Sequence, residues 1–358
     1  MSYPGSDHPS VPAPVPALAP GLPPFDLFTV RDFALECGVV LPEAKLAYRQ
    51  RGAVGQGAPI LLCTAFAANP LGLAYLGQEG GPLDESRRWI IDVEMLGNGR
   101  SSSPSNTPAP HAGADFPPLA IRDNVTLQKA LCDHLGITRL ASVIGASMGG
   151  QQAVQWAVSH PAMVASAVCI AGNAATTLFG QMFLHVVASA LTSDPAFAGG
   201  RYASPPLLGL SRLSEAWAPF ALSPRFFSEG RHQAHADMAA DDLDGFLAKW
   251  RTRYHTRDAN DLISHLAMWS RHSIAGTPGA AGSFEAAAAR ATMPILFVPV
   301  STDIYFHPLD VADQAMAFPD ARVTVIDSLS GHAAAFGREP ADRLAVRAAL
   351  SAFLAGLP

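Results

Sequence analysis

The sequence predicts an α/β fold, a mostly parallel central sheet with helices on both faces and a helical insertion late in the chain. Three observations carry this. Short apolar, β-branched runs alternate with helix-periodic stretches along most of the chain. Several of those runs lack in/out alternation, as expected of strands covered on both faces. Strand signals then stop from Thr176 to Ala289 before two more strands close the pattern.

Length and composition agree. The chain has 358 residues, enough for one large domain or two ordinary ones, and 49% are hydrophobic against 15% charged, ample for a sizeable core. The net charge of −6 comes with no basic run, which argues against a nucleic-acid partner. Cys37, Cys63, Cys132 and Cys169 are scattered without CxxC spacing, so neither a disulfide framework nor a zinc site is expected. Met1 to Pro24 is a Pro/Ala-rich tail without the charged start and unbroken apolar run of a secretory signal. No apolar stretch is long enough to span a bilayer, and a cytoplasmic protein without a membrane partner is the expectation. The expected organisation is a tail over 1–24, a first core part over 25–175, a helical lid over 176–289 and a second core part over 290–358.

Taken in order, Phe28–Leu35 and Val40–Tyr48 read as antiparallel strands turning near Gly38. Pro59–Thr64 is a short buried strand that runs into the small-residue loop Ala65-Phe66-Ala-Ala-Asn-Pro70. Trp89–Met95 is the next strand, followed by the Gly/Ser loop Leu96–Asn106. Ile121–Leu135 has helical period, with Asp123 and Asn124 in its first turn and Gly136 as its stop. Leu140–Ile144 is a strand and Gln151–Val158 a helix. Val164–Ile170, Pro294–Val300 and Arg322–Ile326 complete the strands, and Asp342–Leu354 is the closing helix.

Between the Leu140–Ile144 strand and its helix lies Gly145-Ala146-Ser147-Met148-Gly149, a match to G-x-S-x-G. A serine on a sharp strand-to-helix turn needs glycine two residues either side, because a Cβ there meets the neighbouring strand or helix. Two later loops, each following a strand, add Asp303 and His332. The order Ser, Asp, His is that of the α/β-hydrolase fold. Groups at the carboxyl ends of parallel strands fall on one edge. Ser147 is then the candidate nucleophile, His332 its base, and Asp303 the group that fixes the imidazole tautomer. Singly, a post-strand Asp is as often a helix cap, and a Gly-His loop is more often plain surface than catalytic; the joint placement makes the case. Asp327 lies too close to its strand, and Asp310 too far along, to be the preferred acid. The oxyanion hole needs two backbone N–H groups, expected from Met148 and Phe66, although Phe66 reads equally as a core aromatic. His232 and His235 have ligand-like spacing without a third ligand, and a solvated helix face is the expectation. The Gly97-Asn-Gly99-Arg100 loop matches no nucleotide fingerprint.

Several blocks resemble the homoserine O-acetyltransferase branch of the α/β-hydrolase superfamily: Leu96-Gly-Asn-Gly, Ile121-Arg-Asp-Asn-Val, Val143-Ile-Gly-Ala-Ser-Met-Gly-Gly-Gln, Ser301-Thr-Asp303 and Gly331-His332. The resemblance implies ping-pong acyl transfer through Ser147 under a helical lid, whose helices in that family often form a homodimer. Two departures weigh against homoserine as acceptor. Where the family carries Gln-Arg ahead of Asp-Pro, this chain has Val187-Ala188 before Asp194-Pro195, and the family's His-Ala-Leu-Thr-Gly loop is here Thr64-Ala-Phe-Ala-Ala. Both changes imply a more apolar pocket. The expected function is therefore a serine acyl hydrolase acting on a small-molecule ester without cofactor. The alternative is an acetyl-CoA-dependent O-acyltransferase with another acceptor, and a non-catalytic binding protein is the remaining class.

Overall fold

Leu61 and Cys63 pack on one side of the sheet while Ile60 and Leu62 pack on the other, and Val143 and Ile144 divide the same way. This period of two, with every position buried, makes the central strands uniformly apolar. In the computed structural model, which describes residues 24–234 and 239–356, the strands are β1 (Asp26–Ala34), β2 (Val40–Gly52), β3 (Ile60–Cys63), β4 (Trp89–Val93), β5 (Ser142–Ala146), β6 (Ala167–Ile170), β7 (Ile295–Val298) and β8 (Ala321–Val323). They form one sheet in the order β1-β2-β4-β3-β5-β6-β7-β8, antiparallel from β1 to β4 and parallel from there on. The α/β-hydrolase fold expected from the sequence is the one observed.

Helix α1 (Ile121–His134) precedes β5, and α2 (Met148–Ser159) follows it. Asp123 caps α1 by accepting the Ala120 N–H at 2.7 Å, and it also takes the Glu36 N–H at 2.8 Å. All residues of α2 from Met148 to Val158 are buried, so this helix lies inside the molecule rather than on it. Among the described residues between β6 and β7 the regular elements are all helical: α3 (Leu178–Thr192), α4 (Leu207–Ala221), α5 (Pro224–Ser228), α6 (Leu243–Arg251), α7 (Ala259–Ser270) and α8 (Phe284–Ala288), with short 3₁₀ turns among them. Helix α9 (Pro308–Ala315) connects β7 to β8, and α10 (Pro340–Ala355) closes the described chain.

The expected elements are present, with shifted ends. The β5 strand runs to the turn at Ser147 rather than stopping at Ile144, and Leu140 joins the sheet only through an isolated bridge to Val164. The last strand is shorter than Arg322–Ile326. It is an edge strand with one partner, Val323 and Val325 are exposed, and Ile326 bridges Val300 separately. All four cysteines are free thiols, with Cys37 exposed and the others buried. The expected tail, to residue 23, and His235 fall outside the described residues. Among the described residues no helix is long and apolar enough to cross a membrane, and no cluster of His, Cys, Asp and Glu is arranged to hold a metal.

Candidate active site

The turn after β5 holds Ser147 at φ +56°, ψ −126°, outside the helical and strand regions, with its N–H donating to Ile170 O at 2.8 Å. Two glycines make this backbone sterically feasible. A Cβ on Gly145 would lie 2.1 Å from the Gly149 carbonyl, and one on Gly149 would lie 2.4 Å from Cys63 O. The serine is 3% exposed. Met148 opens α2, so its N–H has no intrahelical partner and points from the helix start, the electropositive end.

Asp303 and His332 follow β7 and β8. His332 Nδ1 lies 2.7 Å from Asp303 Oδ2, and both side chains are buried. The other carboxylate oxygen of Asp303 accepts the N–H groups of Tyr305 and Phe306, each at 3.1 Å. The two loops are strapped together by Thr302, whose hydroxyl donates to Ser328 O at 2.6 Å and accepts the Gly331 N–H at 3.1 Å. Tyr305 packs over the imidazole with ring centroids 4.3 Å apart. These contacts fix the ring before any substrate arrives.

Ser147, His332 and Phe66 line one cavity of about 620 Å³. Asp303 stands behind His332, and neither Asp310 nor Asp327 lines the cavity; Asp327 instead accepts from the Ser301 hydroxyl at 3.0 Å. Phe66 lies in the turn beside the cavity, and its ring packs, tilted or edge-on, among Trp217, Tyr254 and Trp269 of the helical segment.

Two residues near this turn escaped the sequence reading. His265 of α7 is buried; its Nε2 donates to Leu96 O at 2.9 Å, and its Nδ1 accepts the Ala67 N–H at 3.4 Å. That pairing needs a neutral ring, and burial lowers its pKa to about 4. Arg257 donates to Ala67 O at 2.6 Å. The turn carrying Phe66 is thus gripped through both polar groups of Ala67, itself at φ +46°, by side chains from about 190 positions later in the chain. No local spacing announces such a contact.

One expectation needs correcting. The cavity is not simply more apolar, because Arg253, Arg257, Arg338 and Arg343 line it. Val187 is fully buried in the core, and neither Val187 nor Ala188 reaches the cavity wall, so the absence of the family's arginine there does not set its polarity. The Gly/Ser loop is structural: Arg100 pairs with Glu94 at 2.8 Å, and the Ser101 and Ser102 hydroxyls accept the N–H groups of Ala47 and Lys45 in β2.

A family model described as the alpha/beta hydrolase fold matches residues 58–337. An ethyl acetate hydrolase of Pseudomonas veronii is 33% identical over 324 residues, covering 88% of this chain and 91% of that protein. A homoserine O-acetyltransferase of Trichormus variabilis is 30% identical over 321 residues, covering 84% and 86%. The solved structure of the acetyl esterase MekB superposes with a TM-score of 0.87 at 31% identity, covering 93% of this chain and 97% of that one. The chain therefore belongs to the α/β-hydrolase family of enzymes, on the branch that also holds esterases and homoserine O-acetyltransferases.

Proposed function

We propose that the protein is a serine esterase that cleaves a carboxylic ester through an acyl-enzyme. The observation that carries this is the buried 2.7 Å contact between His332 Nδ1 and Asp303, set against a cavity that Ser147 also lines. In this reading His332 Nε2 takes the Ser147 proton as Oγ bonds to the ester carbonyl carbon. The carbonyl oxygen becomes an oxyanion held by the Met148 and Phe66 N–H groups. As the C–O bond to the alcohol breaks, His332 returns the proton to the leaving oxygen. Water, deprotonated by the same imidazole, then attacks the acyl carbon and frees Ser147. Asp303 keeps Nδ1 protonated and stabilises the imidazolium in both halves. The esterase names of two of the most similar relatives support the hydrolytic outcome.

The test is hydrolysis of p-nitrophenyl acetate and butyrate by the protein and by Ser147→Ala. The variant should fall by at least about 10³-fold and lose fluorophosphonate labelling. Equal rates in the two proteins would end the reading.

The homoserine O-acetyltransferase relative keeps a second reading open: transfer from acetyl-CoA to an unidentified alcohol. A rise in intact mass by one acetyl group on incubation with acetyl-CoA supports it, and an unchanged mass counts against it. We also propose that the segment between β6 and β7 acts as the lid and pairs two copies. Leu178, Met182 and Val186 give α3 an exposed apolar face, and light scattering should report twice the chain mass.

A further inference from the structure

We infer that Gln152 is a positioning residue for the oxyanion hole, its amide setting the separation between the two backbone N–H groups that hold the oxyanion. This rests on the esterase reading above, in which Met148 and Phe66 supply those donors.

The two donors come from different elements. Met148 opens α2, and Phe66 lies in the turn that follows β3. Among the described residues neither N–H has a hydrogen-bond acceptor, so both remain open to an oxyanion. They act together only if they point at one place, which requires the turn and the helix start to be locked to each other. Gly149 brings the two close: a Cβ there would lie 2.4 Å from Cys63 O and 3.1 Å from Thr64 O. Gln152 is three positions on and so shares that face of α2. Its Nε2 donates to Thr64 O at 3.0 Å and to Met148 O at 3.3 Å. One amide thus bonds a carbonyl of the helix start and a carbonyl at the root of the Phe66 turn. The Thr64 N–H donates to Val93 O at 3.2 Å, and the Thr64 hydroxyl accepts the Met95 N–H at 3.1 Å, so every polar group of Thr64 is engaged. The far end of the turn is held separately, through Ala67.

The amide cannot face the other way. The Trp156 indole only donates, and it donates to Gln128 Oε1 at 2.7 Å. Gln128 Nε2 must then donate to Gln152 Oε1, 2.7 Å away, and this turns Gln152 Nε2 toward Thr64. Gln128, Gln152 and Trp156 are all fully buried. Buried amides cost stability unless their bonds are made, and leucine or methionine would fill the same space without that demand. What the amide adds is direction.

The experiment compares Gln152→Met with the wild-type protein on p-nitrophenyl acetate. Rates are counted per Ser147 labelled to completion by a fluorophosphonate, so unfolded protein does not enter. The variant's kcat should fall by at least about fivefold with KM within about twofold, because the hole serves acylation and deacylation alike. Inhibition by 1,1,1-trifluoroacetone, whose carbonyl carbon bonds Ser147 Oγ to give a tetrahedral oxyanion, should weaken by about the same factor as kcat/KM. A general loosening of the core would not weaken that adduct and spare KM. Gln128→Met touches neither Thr64 nor Met148 but removes the group that orients the amide. It should show the same pattern with a kcat loss of about threefold or more, and it decides the matter if Gln152→Met does not fold. A smaller loss of kcat in either folded variant overturns the inference, as does a loss in which KM rises in step or the ketone binds as before. Wild-type cleavage in that case leaves the esterase reading standing. No wild-type cleavage, with no labelling of Ser147, removes both.

Discussion

The rim of the sheet and the helical segment between β6 and β7 meet at the same cavity, yet they are built on different terms. At the rim, position follows from backbone geometry. Ser147 sits just beyond the end of β5, Asp303 and His332 lie in the loops that follow β7 and β8, and the glycines at 145 and 149 are required by atoms 2.1 Å and 2.4 Å from where a Cβ would stand. In the helical segment, position follows from side chains alone. Phe183, Trp217, Tyr254 and Trp269 pack ring against ring and onto Phe66 and Tyr305, and any of many aromatic arrangements has the same hydrophobic pattern. Rules of backbone shape are written in short sequence motifs, whereas rules of side-chain meeting are spread over the whole chain.

The sharpest way to break the contrast is Gly145→Ala. The added methyl collides with backbone that has no flexible end to move, so both fold and activity should go, with at least about 3 kcal/mol lost in urea unfolding. A soluble variant with its wild-type midpoint would mean the turn is looser than the distances say. Next comes Asp303→Asn, which keeps the shape but favours the wrong imidazole tautomer. The rate constant kcat should drop by about 10⁴-fold with little change in thermal midpoint. A loss of only a few fold would remove Asp303 from the acid's role.

His265→Gln addresses the other region. It loosens the grip on the Phe66 turn, and kcat should fall by about tenfold with KM less affected. It also carries a pH signature. The folded-state pKa of His265 is lowered from 6.5 to about 4 by burial, so between those values the unfolded chain binds the extra proton. Its contribution to stability is full above pH 6.5 and is lost as pH falls toward about 4. Glu94 and Asp261, both raised to about 7 by burial, act with the opposite sign over acid pH. The readout is accordingly the difference between wild type and variant, which should narrow by about 2 kcal/mol from pH 7 to pH 5. The smallest effect is expected from Ala188→Arg, which restores the family's arginine in sequence. Since position 188 does not line the cavity, esterase activity should stay within about twofold, and acetyl transfer to homoserine should not appear.

This division explains what could be read in advance. The sheet, the turn at Ser147 and the pairing of Asp303 with His332 were legible because parallel strands deliver their carboxyl ends to one edge. The strand ends were less so, since hydrogen bonding at an edge depends on the neighbour: β8 stops at Val323 where its residues become exposed. His265 and Arg257 were invisible. A histidine among apolar helix positions looks like any core residue, and only the fold brings it to Ala67. The four arginines of the cavity were equally hidden, being separated into two sequence-distant pairs, and attention to Val187-Ala188 led toward an apolar pocket that the structure does not have.

The grip on Ala67 bears on how such an enzyme could be simplified. Trimming the molecule to its sheet would not bare a faster, more open catalyst, because the backbone of the Phe66 turn takes its shape from residues supplied about 190 positions downstream. During synthesis the serine emerges long before those residues do. On the proposed mechanism, a product truncated before them would be idle rather than indiscriminate.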